Sequence, residues 1–317
     1  MKKMGGKLQG VTPLRDPFDR PVTNLRISLT RRCNLKCFFC HEEGEMESGT
    51  EMSVRDIRSI VEVVAGFGVR KLKITGGEPL LRSDLCDVIS HASGLMEEVS
   101  MTTNGVQLEE WAPRLRHAHL QRVNVSLHSL RRERYRGITG VDALDDVLRG
   151  VEAALDNRLT PVKVNFVVLR DVNDDEISDM MNFAARTGTV LQLIEYMALG
   201  NGRTPGTQYH VDLSAIESGL RRIALRSEER PMHHRRRYSI PLEEGCAEVE
   251  VVRPMHNSVF CRNCTRLRVT SDGRLKPCLL RNDNLVEVAS LLRGGLSEKE
   301  ISEAFRRAVS LREPYWR

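Results

Sequence analysis

Leu25-Arg-Ile-Ser-Leu-Thr30 and, shortly after it, Cys33-Asn-Leu-Lys-Cys37-Phe-Phe-Cys40 are the stretch from which the rest of the chain is read. The first six residues alternate apolar and polar, the period of a half-buried strand. The next eight place three thiols at Cys-x3-Cys-x2-Cys spacing on the loop that leaves the strand. Four thiolates saturate a four-iron cluster for electron transfer, whereas three leave one iron without a protein ligand. Cys33, Cys37 and Cys40 are therefore candidate ligands of a cluster with an open iron, which makes it a reaction centre. A zinc knuckle completed by His41, or unligated thiols, are the competing readings. Phe39, just before the last thiol, favours the cluster, because an aromatic there can shield one edge from water.

With 317 residues the chain has room for one large domain, or one domain with an appendage. Hydrophobic content of 40% and charged content of 29% are ordinary for a soluble globular protein. Aromatics make up only 5%, so no stacking platform for nucleic acid stands out, and a net charge of +5 does not demand a polyanionic partner. Nothing resembles an apolar signal core or a membrane span. A cytoplasmic protein with reduced thiols and no membrane partner is expected. Six of the eight cysteines fall into two spaced triplets, which argues for metal over disulfides, while Cys86 and Cys246 read as ordinary buried or partly buried thiols.

Residues 1–20 are basic and without periodicity, and the first ten or so are expected to be mobile. Strands follow at 25–30, 71–75, 99–103, 122–127, 162–168 and 190–196, alternating with helices at 53–66, 84–93, 108–117, 142–157 and 174–187. Six strand–helix alternations with short turns are the pattern of a parallel sheet or an α/β barrel. Side chains alternate along a strand, so Leu25, Ile27 and Leu29 share one face and Arg26, Ser28 and Thr30 the other. The next four strands repeat this split, with Lys71, Lys73 and Thr75, then Ser100, Thr102 and Asn104, on the polar side. Asn124, Ser126 and His128, then Lys163 and Asn165, continue that side. A closed barrel is packed inside with branched apolar residues, yet five strands in a row break the rule on one face only. This predicts an incomplete, six-stranded curved barrel whose concave face is a wet, cationic ligand cavity.

After about residue 200 the alternation stops, and 200–210 reads as a linker. The division expected is a barrel over 21–220 and a C-terminal region over 221–317 packing on it. The Arg-dense run from Arg221 to Arg237 reads as a surface loop, followed by short strands near 236–240 and 247–253. Cys261-x2-Cys264-x13-Cys278 is a second three-thiol set, with an Asp272-Gly273 turn folding Cys278 back toward the pair. Structural zinc with His256 is its competing reading. Arg266 and Arg268 share a strand face beside it, and paired guanidiniums suit phosphate oxygens. Helices are expected at 284–293 and 297–312, the latter opened by a Ser297–Glu300 capping box. Gly76-Gly-Glu-Pro79 ends the second strand, where parallel folds place ligands, and its Glu could accept from an ammonium.

Taken together, the first triplet with its aromatic and Gly76-Gly-Glu-Pro79 resemble the radical S-adenosylmethionine (SAM) superfamily. The second triplet narrows the resemblance to the MoaA family of GTP 3′,8-cyclases, of molybdenum cofactor biosynthesis. So do Ile74-Thr-Gly-Gly-Glu-Pro-Leu-Leu-Arg82, Thr102-Thr-Asn-Gly105, Val123-Asn-Val-Ser-Leu127, Ile138-Thr-Gly140, Pro161-Val-Lys-Val-Asn165 and Asn173-Asp-Asp-Glu176. The likeness runs from about residue 16 to 312.

That resemblance implies a partial α/β barrel with a C-terminal extension carrying an auxiliary 4Fe–4S cluster, both clusters being held by three cysteines. SAM would chelate the open iron of the first cluster, and its reductive cleavage would yield methionine and a 5′-deoxyadenosyl radical. The radical would take the ribose 3′ hydrogen of GTP, and C3′ would attack C8 to give 3′,8-cyclo-7,8-dihydro-GTP. The auxiliary cluster would bind the guanine. By motif, Phe39, Gly77, Ser126 and Met197 fall where the family contacts SAM. Arg26, Lys73, Thr102, Lys163, Arg266, Leu267 and Arg268 fall where it contacts GTP. No catalytic side chain beyond the cluster ligands is implied. The implied partners are a flavodoxin- or ferredoxin-type electron donor, a second copy of the chain, and a downstream cyclic pyranopterin monophosphate synthase. The chain departs from the family at four places. Many members end in Gly-Gly, whereas this sequence ends Glu-Pro-Tyr-Trp-Arg317; Gln192 stands where Arg is common; His41 and His128 replace the more usual Met and Asp.

Overall fold

The computed structural model describes residues 11–45, 49–198, 205–288 and 298–316. Its first half alternates as the sequence predicts: β1 (Asn24–Ser28), α1 (Val54–Gly66), β2 (Lys71–Thr75), α2 (Leu85–Ser93), β3 (Glu98–Thr103), α3 (Leu108–His117) and β4 (Arg122–Ser126). Then come α4 (Arg132–Thr139), α5 (Leu144–Asp156), β5 (Lys163–Val168), α6 (Ile177–Thr187) and β6 (Val190–Glu195). The C-terminal part holds α7 (Ser214–Ile223), β7 (Arg226–Arg230), β8 (Arg235–Leu242), β9 (Gly245–Val252) and α8 (Ser258–Arg262). It ends with β10 (Arg266–Val269), β11 (Arg274–Lys276), β12 (Val286–Glu287) and α9 (Glu298–Ser310). Local chemistry sets the boundaries: Ser53 and Asp56 cap α1 reciprocally, the Ser53 hydroxyl accepting from the Asp56 N–H at 3.2 Å.

All the described strands join one open sheet in the order β12-β11-β10-β1-β2-β3-β4-β5-β6-β9-β8-β7. β1 to β6 are parallel neighbours in chain order, as helical crossovers require. The C-terminal part extends this sheet at both sides, β10 pairing parallel with β1 and β9 parallel with β6. The short turn Met232–His234 between β7 and β8 reaches the end of α8, where the His233 N–H donates to the Asn263 carbonyl at 2.9 Å. That contact brings the two flanks of the sheet together, so the sheet curves into a partial α/β barrel. Leu25, Ile27, Leu72, Ile74, Val99, Val123, Val164 and Phe166 are fully buried on the helix-covered face. Each such side chain contributes roughly 1.5–3 kcal/mol on burial, enough to set which face turns outward to the helices.

Four expectations need correction. α4 was not expected; its polar sequence hides the helix, which ends at a left-handed Gly140. The run Arg221–Arg237 is not a surface loop but the end of α7, all of β7 and the start of β8. Charges masked its period, yet pairing sets Glu228 opposite Arg237 and Glu229 opposite Arg236, which favours the ladder. The helix expected over 284–293 is, in its described part, strand β12, since Val286 pairs with Leu275 to bury its side chain against the hairpin. Cys246 is exposed, because it lies at the tip of the β8–β9 hairpin, while Cys86 is half-buried. The first ten residues, the start of the expected linker and Ser297 lie outside the described residues.

Candidate functional site

The concave face of the sheet encloses a cavity of about 420 Å³, within the range of small-molecule sites. Its walls carry the polar faces read from alternation: Arg26, Lys73, Thr102, Asn124, Ser126, His128, Lys163 and Asn165 all line it. Cys33, Cys37 and Cys40 open onto it, and so do Cys261, Cys264 and Cys278. Two thiol triplets separated by more than two hundred positions thus face one chamber.

The first triplet is held by backbone. Gly77 donates to the Thr30 carbonyl at 2.6 Å and Glu78 to that of Arg32 at 2.8 Å. A Cβ on Gly77 would sit 2.3 Å from the Arg32 oxygen, so only glycine lets the end of β2 pack on the chain entering Cys33. From the other side, Lys36 donates to the Thr139 carbonyl at 2.8 Å and Phe38 to that of Ile138 at 3.2 Å. The Ile138-Thr-Gly140 segment is thereby explained as a brace for the cysteine loop. N–H groups aim at sulfur: Leu35 N lies 3.5 Å from Cys33 Sγ, Glu42 N lies 3.4 Å from Cys40 Sγ, and Asn104 Nδ2 lies 3.9 Å from Cys33 Sγ. Burial, reinforced by the adjacent thiols, pushes Cys37 up to about 12; burial pushes Cys40 up to about 11. Phe39 packs edge-on to His128 with ring centroids 4.9 Å apart. His128 Nδ1 accepts from the Val167 N–H at 3.2 Å, and burial alone lowers this imidazole to about 4. Glu78 is not available to an ammonium, because its carboxylate is buried and accepts from Leu80 N, Thr103 Oγ1 and Asn104 N at 3.1, 2.7 and 2.6 Å.

The second triplet spans α8, the entry to β10 and the exit from β11, and the antiparallel β10–β11 hairpin returns Cys278 toward the pair. Arg20 Nη1 donates to the Cys261 carbonyl at 2.9 Å and Arg312 Nη2 to the Cys264 carbonyl at 2.6 Å. Burial opposes ionisation of Cys264, but the guanidiniums of Arg312, Arg266 and Arg268 hold its thiol below the ordinary value. Among the described residues no three His, Cys, Asp or Glu side chains converge on a single-ion site.

The cations of the cavity are mostly engaged. Arg26 and Thr75 donate to Glu43 Oε1, and Arg268 Nη1 lies 3.1 Å from Glu43 Oε2. Burial raises Glu43, but the two guanidiniums outweigh it and hold the carboxyl at about 2. Lys73 donates to the Met101 carbonyl at 3.1 Å and to Asn124 Oδ1 at 2.6 Å. Lys163 is ion-paired to the fully buried Glu250 at 2.6 Å, and Gln192 Nε2 and Arg237 Nη2 reach the same carboxylate at 2.5 and 2.7 Å. Burial raises Glu250, but Lys163, Arg235 and Arg237 outweigh it and hold the carboxyl well below the carboxylate range. Arg266 lies near Met232 Sδ, and its buried Nε has no acceptor among the described residues. Gly77, Ser126, Met197 and Phe39 line the cavity; Leu267 does not, since its side chain faces the core between Arg266 and Arg268. Sequence reasoning missed Glu43, Glu250, Arg235 and Arg312. For Glu250 a signal existed: Ala247, Val249 and Val251 alternate with Glu248 and Glu250 along β9.

A family model described as the radical SAM superfamily matches residues 27–184, and one for the Molybdenum Cofactor Synthesis C domain matches 189–317. The fold is similar to that of Streptococcus suis SuiB bound to S-adenosylmethionine, with a TM-score of 0.64 at 17% identity over 90% of this chain and 67% of that one. It is also similar to a histidine-tagged anSMEcpe with bound AdoMet, with a TM-score of 0.61 at 16% identity over 92% of this chain and 84% of that one. A curved parallel sheet with a Cys-x3-Cys-x2-Cys loop at its mouth therefore defines a radical SAM protein. The curated relatives are nearer. A probable GTP 3′,8-cyclase of Thermococcus kodakarensis is 51% identical, the match covering 96% of this chain and 100% of the relative. One of Pyrococcus horikoshii is 47% identical over 96% of this chain and 98% of its own length. The chain belongs to the GTP 3′,8-cyclase family.

Proposed function

We propose that this chain is a radical SAM lyase that converts GTP to 3′,8-cyclo-7,8-dihydro-GTP, the opening step of molybdenum cofactor biosynthesis. The observation that carries the reading is the shared chamber: both thiol triplets and the polar strand faces line one cavity. The two triplets fit iron–sulfur clusters. Each offers three thiols to that cavity, and the first has N–H donors directed at Cys33 and Cys40 sulfur, the kind of contact that tunes such clusters. Cys33, Cys37 and Cys40 would hold one 4Fe–4S cluster, and Cys261, Cys264 and Cys278 an auxiliary one. When bound, the first cluster supplies the electron that cleaves SAM and so a radical able to take the C3′ hydrogen of GTP.

The chain's own residues then have these roles. Phe39, Gly77, Ser126 and Met197 contact SAM. Phe39, seated on His128, keeps water from that side of the thiol loop. Arg26, Lys73, Thr102, Lys163, Arg266 and Arg268 bind and orient the nucleotide, with Leu267 contributing only its main chain. A burial-depressed His128 and an amide network in which Asn124 Nδ2 donates to Asn165 Oδ1 and Gln192 Oε1 keep the cavity floor polar without adding charge. We assign residues 21–220 to the barrel and 221–317 to the auxiliary-cluster region. A small flavodoxin or ferredoxin would deliver electrons, the protein would work in the cytoplasm as a homodimer, and a cyclic pyranopterin monophosphate synthase would take the product. Among the described residues no helix is long and apolar enough to cross a membrane.

The test is anaerobic incubation of the reduced protein with SAM and GTP. The expected result is brown protein with about eight irons per chain, 5′-deoxyadenosine, and a cyclised GTP product in equal amount. 5′-Deoxyadenosine without a GTP-derived product would overturn the substrate, and colourless zinc protein the whole reading.

A further inference from the structure

Arg235 opens β8 on the cavity wall, and its guanidinium is left short of acceptors. Its Nε is buried and finds no partner among the described residues. Within 4.0 Å it meets one carboxylate among the described residues, Glu250, and the Nη1–Oε2 separation of 3.7 Å is too long for a hydrogen bond. Glu250 is already taken. Its Oε1 accepts from Lys163 at 2.6 Å and from Arg237 Nε and Nη2 at 3.0 and 2.7 Å, and its Oε2 accepts from Lys163 at 2.8 Å and Gln192 at 2.5 Å. Three cations therefore share one carboxylate on this wall. A buried guanidinium with an unmet donor is costly unless an anion completes it. Burial, together with Arg230, Arg122 and Arg237 nearby, already lowers its proton affinity despite Glu250.

The place fits a substrate role. The turn Met232–His234, just before Arg235, touches Asn263 between Cys261 and Cys264, and Arg266 reaches back to Met232. Arg235 thus faces the same chamber as Arg26, Arg266 and Arg268 but from the other flank of the sheet. We propose that Arg235 is a further substrate-binding residue, its planar fork gripping the polyphosphate of the nucleotide from the β8 side. A phosphate chain offers the paired oxygens that match this donor geometry. The proposal rests on the nucleotide triphosphate being the substrate.

The experiment titrates GTP, guanosine, inorganic tripolyphosphate and SAM into anaerobically prepared full-length protein by calorimetry, with iron measured in each preparation. Arg235→Gln should weaken GTP and tripolyphosphate about tenfold or more, as expected for losing a charge-assisted contact. Guanosine and SAM affinity and iron content should stay at wild-type levels. Unchanged GTP affinity overturns the proposal. So does a parallel loss of guanosine affinity or of iron, which would make the residue structural, and so does a loss confined to SAM. Where Arg235→Gln does not fold, Arg235→Lys carries the test, since it keeps the charge but not the fork. It should lose GTP affinity about threefold or more with guanosine unchanged, and wild-type GTP binding would again overturn the assignment. If the wild-type chain binds GTP no more tightly than guanosine and ignores tripolyphosphate, the substrate reading itself fails, a result independent of any variant.

Discussion

Arg312 and Cys264 stand 48 positions apart and are joined by a 2.6 Å hydrogen bond from the guanidinium to the cysteine carbonyl. The same guanidinium, almost fully buried, reaches the Arg20 carbonyl and Asp16, both at 3.2 Å. A residue two positions past the last described helix thereby fixes the backbone of the second thiol triplet.

From this geometry Arg312→Met should lose the auxiliary cluster while keeping the first. Removing one partner of a buried charge network costs about 3–5 kcal/mol, and the strain falls on Cys264. Iron analysis should drop from about eight to about four per chain. Reductive cleavage of SAM should persist, as 5′-deoxyadenosine formation would record. By contrast, Arg266→Ala and Arg268→Ala should weaken GTP binding with iron near the wild-type value. Iron loss in those two would make the pair structural.

Lys163 and Glu250 form the buried pair on which β5, β8 and β9 converge. Glu250→Gln alone should destabilise the chain by about 3 kcal/mol, because it leaves Lys163, Arg237 and Arg235 without the carboxylate they share, and Lys163→Met/Glu250→Gln should recover part of that loss. Urea midpoints of the four species of the cycle measure the coupling; additive losses would show that Arg237 suffices to hold Glu250.

His128 should make stability fall on mild acidification. Its folded-state value near 4 lies below the ordinary 6.5, so between these the unfolded chain binds more protons and stability rises with pH. Acidifying from pH 7.5 to pH 5 should therefore cost about 2 kcal/mol through this group. His128→Asn keeps an acceptor for the Val167 N–H but does not titrate, so its urea midpoint should decline less over that range. Parallel declines would mean the imidazole is not held neutral.

Glu43 occupies Arg26 and Arg268, two cations assigned to substrate. Glu43→Gln should free both and tighten binding of inorganic tripolyphosphate by about tenfold, the scale of one charge-assisted hydrogen bond. Weaker binding would show instead that the carboxylate orients the guanidiniums toward the ligand.

Much of this molecule was legible before any coordinates. Strand alternation separated Arg26, Lys73, Thr102, Asn124, Ser126 and Lys163 from the apolar positions beside them, and all six line the cavity. The rule works because a parallel strand under helices has no other reason to keep one polar face. It failed where charge hid the period, in β7 and the start of β8. The turn after β2 divides in the same way: Gly77 lines the cavity while packing on the chain entering Cys33, whereas the Glu78 carboxylate is taken up by internal hydrogen bonds that spacing does not reveal.

Local spacing and alternation by themselves determined the thiol triplets, the parallel α/β order and the polarity of the inner face, since each depends only on neighbours along the chain. Tertiary structure alone decided that both triplets share one chamber and which of its cations are already matched. Glu43 meets Arg268 across 225 positions and Glu250 meets Lys163 across 87, pairings set by how the sheet curves and by which strands its flanks recruit. No periodicity encodes those distances, because they arise only when the C-terminal strands add to β1 and β6 and fold the wall around the cavity.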